Sequence, residues 1–297
     1  ACLGNLRNCT AATAHVAQHL SSMIFAVRGR DPDMSDLVAQ YNPEVNRSRF
    51  RTCALVGNAG HITKRDYGMY IDSHELVVRF NVLPTIGFEQ FVGRKTSLRV
   101  VNHRRSLTAC CRGGWPDPKA NDTQVGIALW FAHAQREILN ACASRFPENP
   151  RYSMDARYIA KEAELMRKMR MDLLRLGFGP FGRWMQLTSG AHAALMFFRL
   201  CDSVSLYGFT SYKEEETAWA GRPRAAAMGA HTQAQGVRTQ NSTYGLRNGT
   251  ITVEKDNDQY AGRTVRAGSG SRFHDWKGEK FAYRMLHAAG YATICSV

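Results

Sequence analysis

A single histidine near the carboxyl end of the chain has the type and setting of a general base. His274 opens the segment His-Asp-Trp-Lys-Gly-Glu, which ends at Glu279. An imidazole titrates near neutral pH and can accept a proton from a reacting hydroxyl. A histidine at a helix start can equally be a surface residue that caps the helix. The residue type alone therefore leaves a catalytic and a structural interpretation open.

Two glycine-containing turns are suited to hold anionic oxygens. The turn Gly57–Gly60 follows an apolar run, and its glycines let backbone N–H groups approach a phosphate or a sugar. Thr188-Ser189-Gly190 opens an apolar helical pattern, where it serves as an N-cap and also leaves N–H groups for an anion. Neither the full dinucleotide fingerprint nor a P-loop is present. The turns predict a phosphate or sugar site without identifying the ligand.

A third polar segment, Asp256-Asn257-Asp258, has the D-x-D form of a metal–nucleotide site. No predicted strand leads into it, and short acidic triplets arise by chance. We therefore assign no metal site and no cofactor to the chain.

Alternating strands and helices must position these segments. Apolar runs predict strands at 53–58, 75–81, 97–102, 125–131, 203–209 and 291–296. Helical patterns cover 14–27, the segment after the fourth strand to about Ala143, 155–176, 188–200 and 275–289, with a loop at 103–124. This alternation predicts an α/β fold with a mainly parallel central sheet flanked by helices. Ligands bind such sheets at the carboxyl ends of the strands, where Gly57–Gly60 and Asn81 fall.

Composition excludes several classes of protein. The chain has 297 residues, a net charge of +14 and 44% hydrophobic residues, which is typical of a globular protein. No apolar run reaches the length that spans a bilayer, so we expect the chain as it stands to be soluble. It begins at Ala1 rather than Met, which leaves open whether a leader or anchor has been removed. The basic residues are scattered, which disfavours a nucleic-acid partner and is compatible with a small anionic substrate.

Cysteines and glycosylation sequons indicate the compartment. The eight cysteines include no C-x-x-C pair, so they are either disulfides or buried thiols rather than a zinc ribbon. Five N-x-S/T sequons exceed chance and favour the secretory pathway, with sites at Asn8, Asn46, Asn121, Asn241 and Asn248.

Taken together, the segments resemble the eukaryotic sialyltransferase family. The large motif of that family matches CALVGNAG at 53–60, IDSHE at 71–75, VVRFN at 77–81, PTIGFE at 84–89 and VGRKT at 92–96. The small motif matches TSG at 188–190, LCD at 200–202 and LYGF at 206–209, and the very small motif matches His274 to Glu279. Three ordered motifs spread over most of the chain are hard to obtain by chance.

The resemblance implies a GT-A-like nucleotide-sugar glycosyltransferase fold and a metal-independent sialyltransferase. Such an enzyme moves sialic acid from a CMP-sugar donor to a glycan hydroxyl with inversion. The family's roles carry over to His274 as the base, and to Asn58, Asn81, Thr188, Ser189 and Gly190 as donor-binding residues. They also imply a disulfide between Cys53 and Cys201. Cys295 is expected to have a partner, chosen from Cys2, Cys9, Cys110, Cys111 and Cys142.

The family's third motif is only partly present. Its tyrosine matches Tyr260, a further donor-binding candidate, but Asp258 stands where the family has a histidine that contacts the donor phosphate. A carboxylate repels a phosphate. The alternatives are therefore His231 as a substitute, a CMP-Kdo or other keto-acid donor, or a glycan-binding relative that has lost catalysis. Phe91 also replaces a usual aspartate.

The expected organisation is a stem or packing segment over 1–50 and one catalytic domain over 51–297. Residues 211–270 lose periodicity and lie between two site motifs, which predicts a lid over the bound donor. The resemblance implies the Golgi lumen, or secretion, with membrane association only through an anchor that the given chain lacks.

Overall fold

Seven parallel strands form one sheet in the computed structural model, which describes residues 49–112, 125–131, 134–154, 156–175, 186–209, 274–288 and 290–295. The strands are β1 (Phe50–Val56), β2 (Leu76–Phe80), β3 (Leu98–Val101), β4 (Gly126–Leu129), β5 (Arg151–Ser153), β6 (Cys201–Tyr207) and β7 (Thr293–Ile294). Their order is β5-β4-β3-β2-β1-β6-β7, and every neighbouring pair is parallel. The predicted α/β fold with its mainly parallel sheet is confirmed.

Helices lie between these strands along the chain. They are α1 (Gly68–Asp72), α2 (Glu89–Val92), α3 (His103–Ser106), α4 (Gln135–Arg145), α5 (Ala156–Arg175), α6 (Ser189–Leu200) and α7 (Trp276–Ala288). A 3₁₀ turn spans Gly60–Lys64 and a π turn spans Leu107–Cys111.

Burial on both faces explains why the central strands are mainly apolar, although β2 and β3 each carry one buried arginine, Arg79 and Arg99. In β2 and β3 every residue is buried, as parallel strands between two layers require. The larger core cluster joins the sheet to α6, whose residues 191–198 are all buried. The smaller cluster lies on the other face and includes Val56, Ile62 and Val77.

The strand order reverses at β1, because β2 lies on one side of it and β6 on the other. A reversal of this kind opens a crevice at the carboxyl ends of the two strands. Gly57 and Gly208 follow β1 and β6, and the Gly57 N–H donates to the Tyr207 carbonyl at 2.6 Å. A Cβ on Gly57 would lie 2.4 Å from the Gly208 oxygen, and Gly208 has a φ of +65°. Glycine is therefore required where the two chain segments approach.

The structure corrects the predicted loop at 103–124 over residues 103–112, the part of it that the structure describes. Residues His103–Ser106 form α3, because the Asn102 side chain caps it by accepting the Arg105 N–H at 3.0 Å. The π turn follows directly, and its Cys110 is bonded to Cys142 of α4. The three-residue strand β5 was not predicted, since a segment that short carries no distinctive alternation.

Two disulfides lie among the described residues. Cys53 and Cys201 are bonded, with Cα atoms 6.1 Å apart, as the family resemblance implies. The prediction of a partner for Cys295 is wrong within the described part, where Cys295 and Cys111 are free thiols. Cys110 and Cys142 bond each other, so neither is available to Cys295.

Several predictions concern residues outside the described ranges. They are the helix over 14–27, the lid over 211–270, His231, Asp256–Asp258, Tyr260, and the sequons at Asn8, Asn46, Asn121, Asn241 and Asn248. Among the helices that the structure does describe, none combines the length and the apolar character needed to cross a bilayer.

Candidate active site

The amino end of α6 places a set of helix N–H donors at the carboxyl edge of the sheet. Thr188 is the N-cap, and its hydroxyl oxygen accepts the Ala191 N–H at 3.2 Å. The first N–H groups of a helix, here those of Ser189 and Gly190, have no intrahelical acceptor. They carry the positive end of the helix dipole, which attracts anions.

Glu279 of α7 joins the two helices that bear the site motifs. Its carboxylate accepts the Thr188 N–H at 2.8 Å and the Thr188 hydroxyl at 2.6 Å. The Thr188 hydroxyl is therefore engaged both as donor and as acceptor. Because α7 is fixed at Glu279, the residues just before the helix, including His274, are brought beside the start of α6.

His274 is half-buried and has a defined tautomer. Its Nδ1 lies 3.0 Å from the Gln186 carbonyl oxygen, which can only accept, so Nδ1 carries the hydrogen. The lone pair of the neutral ring is then on Nε2. Burial lowers the pKa of His274, against the opposing effect of the Gln186 carbonyl. The ring is consequently neutral at neutral pH and able to accept a proton.

Glu279 is a buried acid that titrates close to neutrality. Burial raises its pKa to about 7, although hydrogen bonds from Thr188 and Tyr283 act in the opposite direction. The folded state therefore holds a proton that an unfolded carboxyl with a pKa of 4.5 releases. The resulting stabilisation is fully present below pH 4.5 and is lost as the pH rises through about 7.

The Glu279→Gln substitution is expected to flatten this pH dependence. From the size of the pKa shift, the wild-type free energy of unfolding should lose about 3 kcal/mol between pH 4.5 and pH 8 on account of Glu279. Urea unfolding of both proteins across this range measures the difference. Glu164→Gln is the matched control, because Glu164 is an exposed carboxylate that pairs with Lys168. Equal pH slopes for wild type and Glu279→Gln would contradict the assignment.

Asn81 directly follows β2 and has a left-handed conformation, with a φ of 55°. Its side-chain oxygen accepts the Asn102 N–H at 3.2 Å, and its own N–H donates to the Val100 carbonyl at 2.9 Å. Since the oxygen of the side chain is engaged, the amide NH₂ is the group left to donate. Asn58 lies in the corresponding place after β1 and is half-buried.

The Phe209 ring connects all of these segments. It packs edge-on against Phe80, which precedes Asn81, and against Tyr283 of α7. A Cβ on Gly57 would lie 3.1 Å from the Phe209 ring, and a Cβ on Gly190 would lie 3.0 Å from it. A side chain at either glycine would thus crowd this ring, on which both turns close. Sequence reasoning placed Phe209 in a strand end and missed this role, because the packing is formed by distant segments.

A buried polar group beneath α6 was also missed. The Trp130 indole N–H donates to the Ser189 hydroxyl oxygen at 2.9 Å, and the Trp130 ring stacks on His192. His192 Nδ1 lies 2.6 Å from a Glu162 carboxylate oxygen, and both side chains are buried. Burial lowers the pKa of His192, with a smaller contribution from His274. The spacing of Ser189 and His192 on one helix was the available signal, but the partners lie in other elements.

The structure thus brings most of the predicted site residues to one edge of the sheet. Asn58 and Asn81 follow β1 and β2, while Thr188, Ser189 and Gly190 begin α6 and His274 precedes α7. Among the residues that the structure describes, no three His, Cys, Asp or Glu side chains are grouped closely enough to hold a metal ion.

Comparison with known proteins identifies similar chains. The model of glycosyltransferase family 29 (sialyltransferase) matches residues 11–220. The protein named sialyltransferase-like protein 2 of Oryza sativa subsp. indica is 30% identical over 203 residues, which are 61% of this chain and 50% of the relative. An Arabidopsis thaliana protein named β-1,6-galactosyltransferase is 28% identical over 176 residues, 56% of this chain and 44% of the relative.

These matches span about half of the length of the two relatives. A solved structure of a mammalian sialyltransferase aligns with a TM-score of 0.48 and 16% identity, covering 93% of this chain and 84% of that one.

Proposed function

The chain belongs to glycosyltransferase family 29, the sialyltransferase family, and on this premise we propose that it transfers sialic acid from CMP-sialic acid to a glycan hydroxyl. The observation that carries the proposal is the position of His274 beside the amino end of α6. A neutral imidazole held by the Gln186 carbonyl there adjoins a set of helix N–H donors. A base for the acceptor and an anion site for the donor are the two parts that the reaction needs.

In the proposed mechanism the transfer is a single displacement. The acceptor oxygen forms a bond to the anomeric carbon while the bond from that carbon to the CMP phosphate breaks. The proton of the acceptor hydroxyl passes to Nε2 of His274, and CMP leaves with the bonding electrons. Attack opposite to the leaving group inverts the anomeric configuration.

Helix donors and base catalysis have defined tasks in this mechanism. The Ser189 and Gly190 N–H groups stabilise the negative charge of the donor, in the place that a divalent ion takes in other transferases. Proton removal by a positioned base contributes roughly 10²–10⁴-fold to the rate. We place the activity in residues 51–297, with Tyr260 as an additional donor contact and a glycan as the acceptor. The Golgi lumen is the proposed compartment.

A second candidate function is transfer from a different sugar donor. Asp258 stands where the family has a phosphate-contacting histidine, and one plant relative carries the name of a galactosyltransferase. A CMP-Kdo or other keto-acid transferase is consistent with the same base and the same helix site. A glycan-binding protein without activity is the alternative from another class, and it would bind acceptor without releasing CMP.

A donor panel separates these functions. CMP-sialic acid, CMP-Kdo and UDP-galactose are each incubated with the protein, with and without an array of glycan acceptors, in the presence of EDTA. The proposal predicts acceptor-dependent release of CMP from CMP-sialic acid. This release should be faster than the release of CMP from CMP-Kdo or of UDP from UDP-galactose. Preference for CMP-Kdo or UDP-galactose would establish the second candidate, and acceptor binding without turnover would establish a binding protein.

Substitution of the two asparagines tests the donor contacts. Asn58→Ala and Asn81→Ala are expected to weaken CMP binding by about tenfold each, since each removes one hydrogen bond to a charged ligand. Asn81→Asp sharpens the test, because it keeps the oxygen that accepts the Asn102 N–H and replaces the donating NH₂ with an anionic oxygen. Its loss of CMP affinity should exceed that of the alanine variant. Calorimetric titration with CMP measures all three.

Asn149→Ala is the matched control for these variants. The Asn149 side chain donates to the Val125 carbonyl at 3.0 Å, just before β4 and so at the opposite end of the sheet. The variant should lose about 1 kcal/mol of stability and keep wild-type CMP affinity. Unchanged CMP binding in the Asn58 and Asn81 variants would remove both residues from the donor site.

A further inference from the structure

The Ser189 hydroxyl has an unusual hydrogen-bonding state for a helix start. It is 8% exposed, and the indole N–H of Trp130 donates to its oxygen at 2.9 Å. An indole N–H can only donate, so Ser189 must accept this bond and retains its own hydrogen. Among the described residues, no acceptor takes that hydrogen. The neighbouring Thr188 differs, because its hydrogen goes to Glu279 at 2.6 Å.

Trp130 is held on a second side by a buried pair. Its ring stacks on His192 with centroids 4.4 Å apart and an interplanar angle of 29°. His192 is in turn hydrogen-bonded to Glu162 of α5 at 2.6 Å, with side chains that are 1% and 2% exposed. Ser189 and His192 lie three residues apart on α6, so one indole ring bridges both. The indole N–H therefore has little freedom to leave the Ser189 oxygen.

A hydroxyl that already accepts one fixed hydrogen bond has fewer directions open to its own hydrogen. It acts as a donor toward a ligand, and a ligand with an anionic oxygen is the strongest acceptor for it. The adjoining N–H groups of the first helical turn favour the same charge. The site therefore favours an anionic oxygen at Ser189 over a neutral sugar hydroxyl.

We propose that Trp130 is a positioning residue, held by His192 and Glu162, that fixes Ser189 as a hydrogen-bond donor to an anionic oxygen of the donor substrate. The inference rests on the proposed function for the identity of the ligand. The oxygen belongs either to the phosphate of CMP or to the carboxylate of the keto-acid sugar. CMP alone contains the first group only, whereas CMP-sialic acid contains both.

The test is a double-mutant cycle with Trp130→Phe and Ser189→Ala. Phenylalanine keeps an aromatic ring against His192 and removes the N–H. Each single variant is expected to lower kcat/KM for CMP-sialic acid by about tenfold, and the double variant is expected to lose no more than Ser189→Ala alone. An unchanged Kd for CMP alone assigns the contact to the sugar carboxylate, and a tenfold weaker Kd assigns it to the phosphate.

Tyr283→Phe is the matched control, because it removes a buried aromatic hydroxyl whose partner is Glu279 rather than Ser189. Its effect on kcat/KM should be additive with that of Ser189→Ala. If Trp130→Phe unfolds, Glu162→Gln takes its place in the double-mutant cycle. It should show a smaller loss of kcat/KM, which is also not additive with the loss from Ser189→Ala. Thermal unfolding of each variant verifies folding.

If the wild-type protein binds and turns over CMP-sialic acid, full additivity of the Trp130→Phe and Ser189→Ala effects would overturn this inference but not the proposed function. Failure of the wild-type protein to bind any CMP-sugar would overturn the proposed function, and the inference with it.

Discussion

The His274→Ala substitution is expected to lower kcat by at least about 10²-fold and to leave the Kd for CMP within a few-fold of the wild-type value. The reason is that Nε2 acts on the acceptor hydroxyl and not on the nucleotide. The Gln186 carbonyl at 3.0 Å fixes the hydrogen on Nδ1, so the ring needs no rearrangement before it accepts a proton. Single-turnover transfer and CMP titration of the same preparation measure the two quantities.

The pH dependence of kcat/KM provides a second test of His274. Turnover requires neutral His274, and burial lowers its pKa from an ordinary value of 6.5. The acid limb of the kcat/KM profile is therefore expected to have its midpoint below pH 6.5, with activity retained above it.

His287→Ala is the matched control on the same helix. His287 also bonds a backbone carbonyl through Nδ1, that of Ala292 at 3.0 Å, but it lies at the far end of α7. Its substitution should cost some stability and no rate. If His274→Ala behaves in the same way and keeps a near-wild-type rate at saturating substrate, His274 only supports the helix and has no part in the chemistry.

Removal of the Cys53–Cys201 disulfide is expected to have the largest effect on stability. The bond joins β1 to the start of β6 and closes a loop of 148 residues. Chain entropy gives about 5 kcal/mol for a loop of that length, a large part of the stability of an ordinary domain. The variant with alanine at both positions should therefore unfold at much lower urea concentration than wild type.

The Cys110–Cys142 bond provides the comparison within the same chain. It closes a loop of 32 residues, for which the same relation gives about 4 kcal/mol. The loss from the first pair should thus exceed the loss from the second by about 1 kcal/mol. Urea unfolding of both double-alanine variants, without reductant, checks the order. A larger loss for the Cys110–Cys142 variant would show that loop entropy does not decide the outcome.

The parts of the fold that sequence predicts are those that depend on neighbouring residues. The strands β1 to β4 are mainly apolar because both of their faces are covered, and the amphipathic pattern over 155–176 became α5 at Ala156–Arg175. Thr188 was predicted as an N-cap, and its hydroxyl does accept the Ala191 N–H. Each of these depends on residues a few positions apart.

The parts that sequence could not predict depend on contacts between distant segments. Trp130 meets Ser189 across 59 positions, and Thr188 meets Glu279 across 91. No local pattern specifies such a pair, because any of several polar residues could satisfy the same hydrogen bond. The Cys53–Cys201 bond is the exception, and there the resemblance to a family supplied the pairing rather than the physical chemistry of the chain.

Sialyltransferase activity is tested most directly by acceptor-dependent transfer from CMP-sialic acid, followed by mass spectrometry of the glycan product. We expect a product heavier by one sialic acid residue, formed with EDTA present and with one equivalent of CMP released per product. The His274→Ala protein should form it at least about 10²-fold more slowly. CMP-sialic acid that binds but is never transferred to any acceptor would contradict the proposed activity, and transfer that is equally fast without His274 would contradict its role as the base.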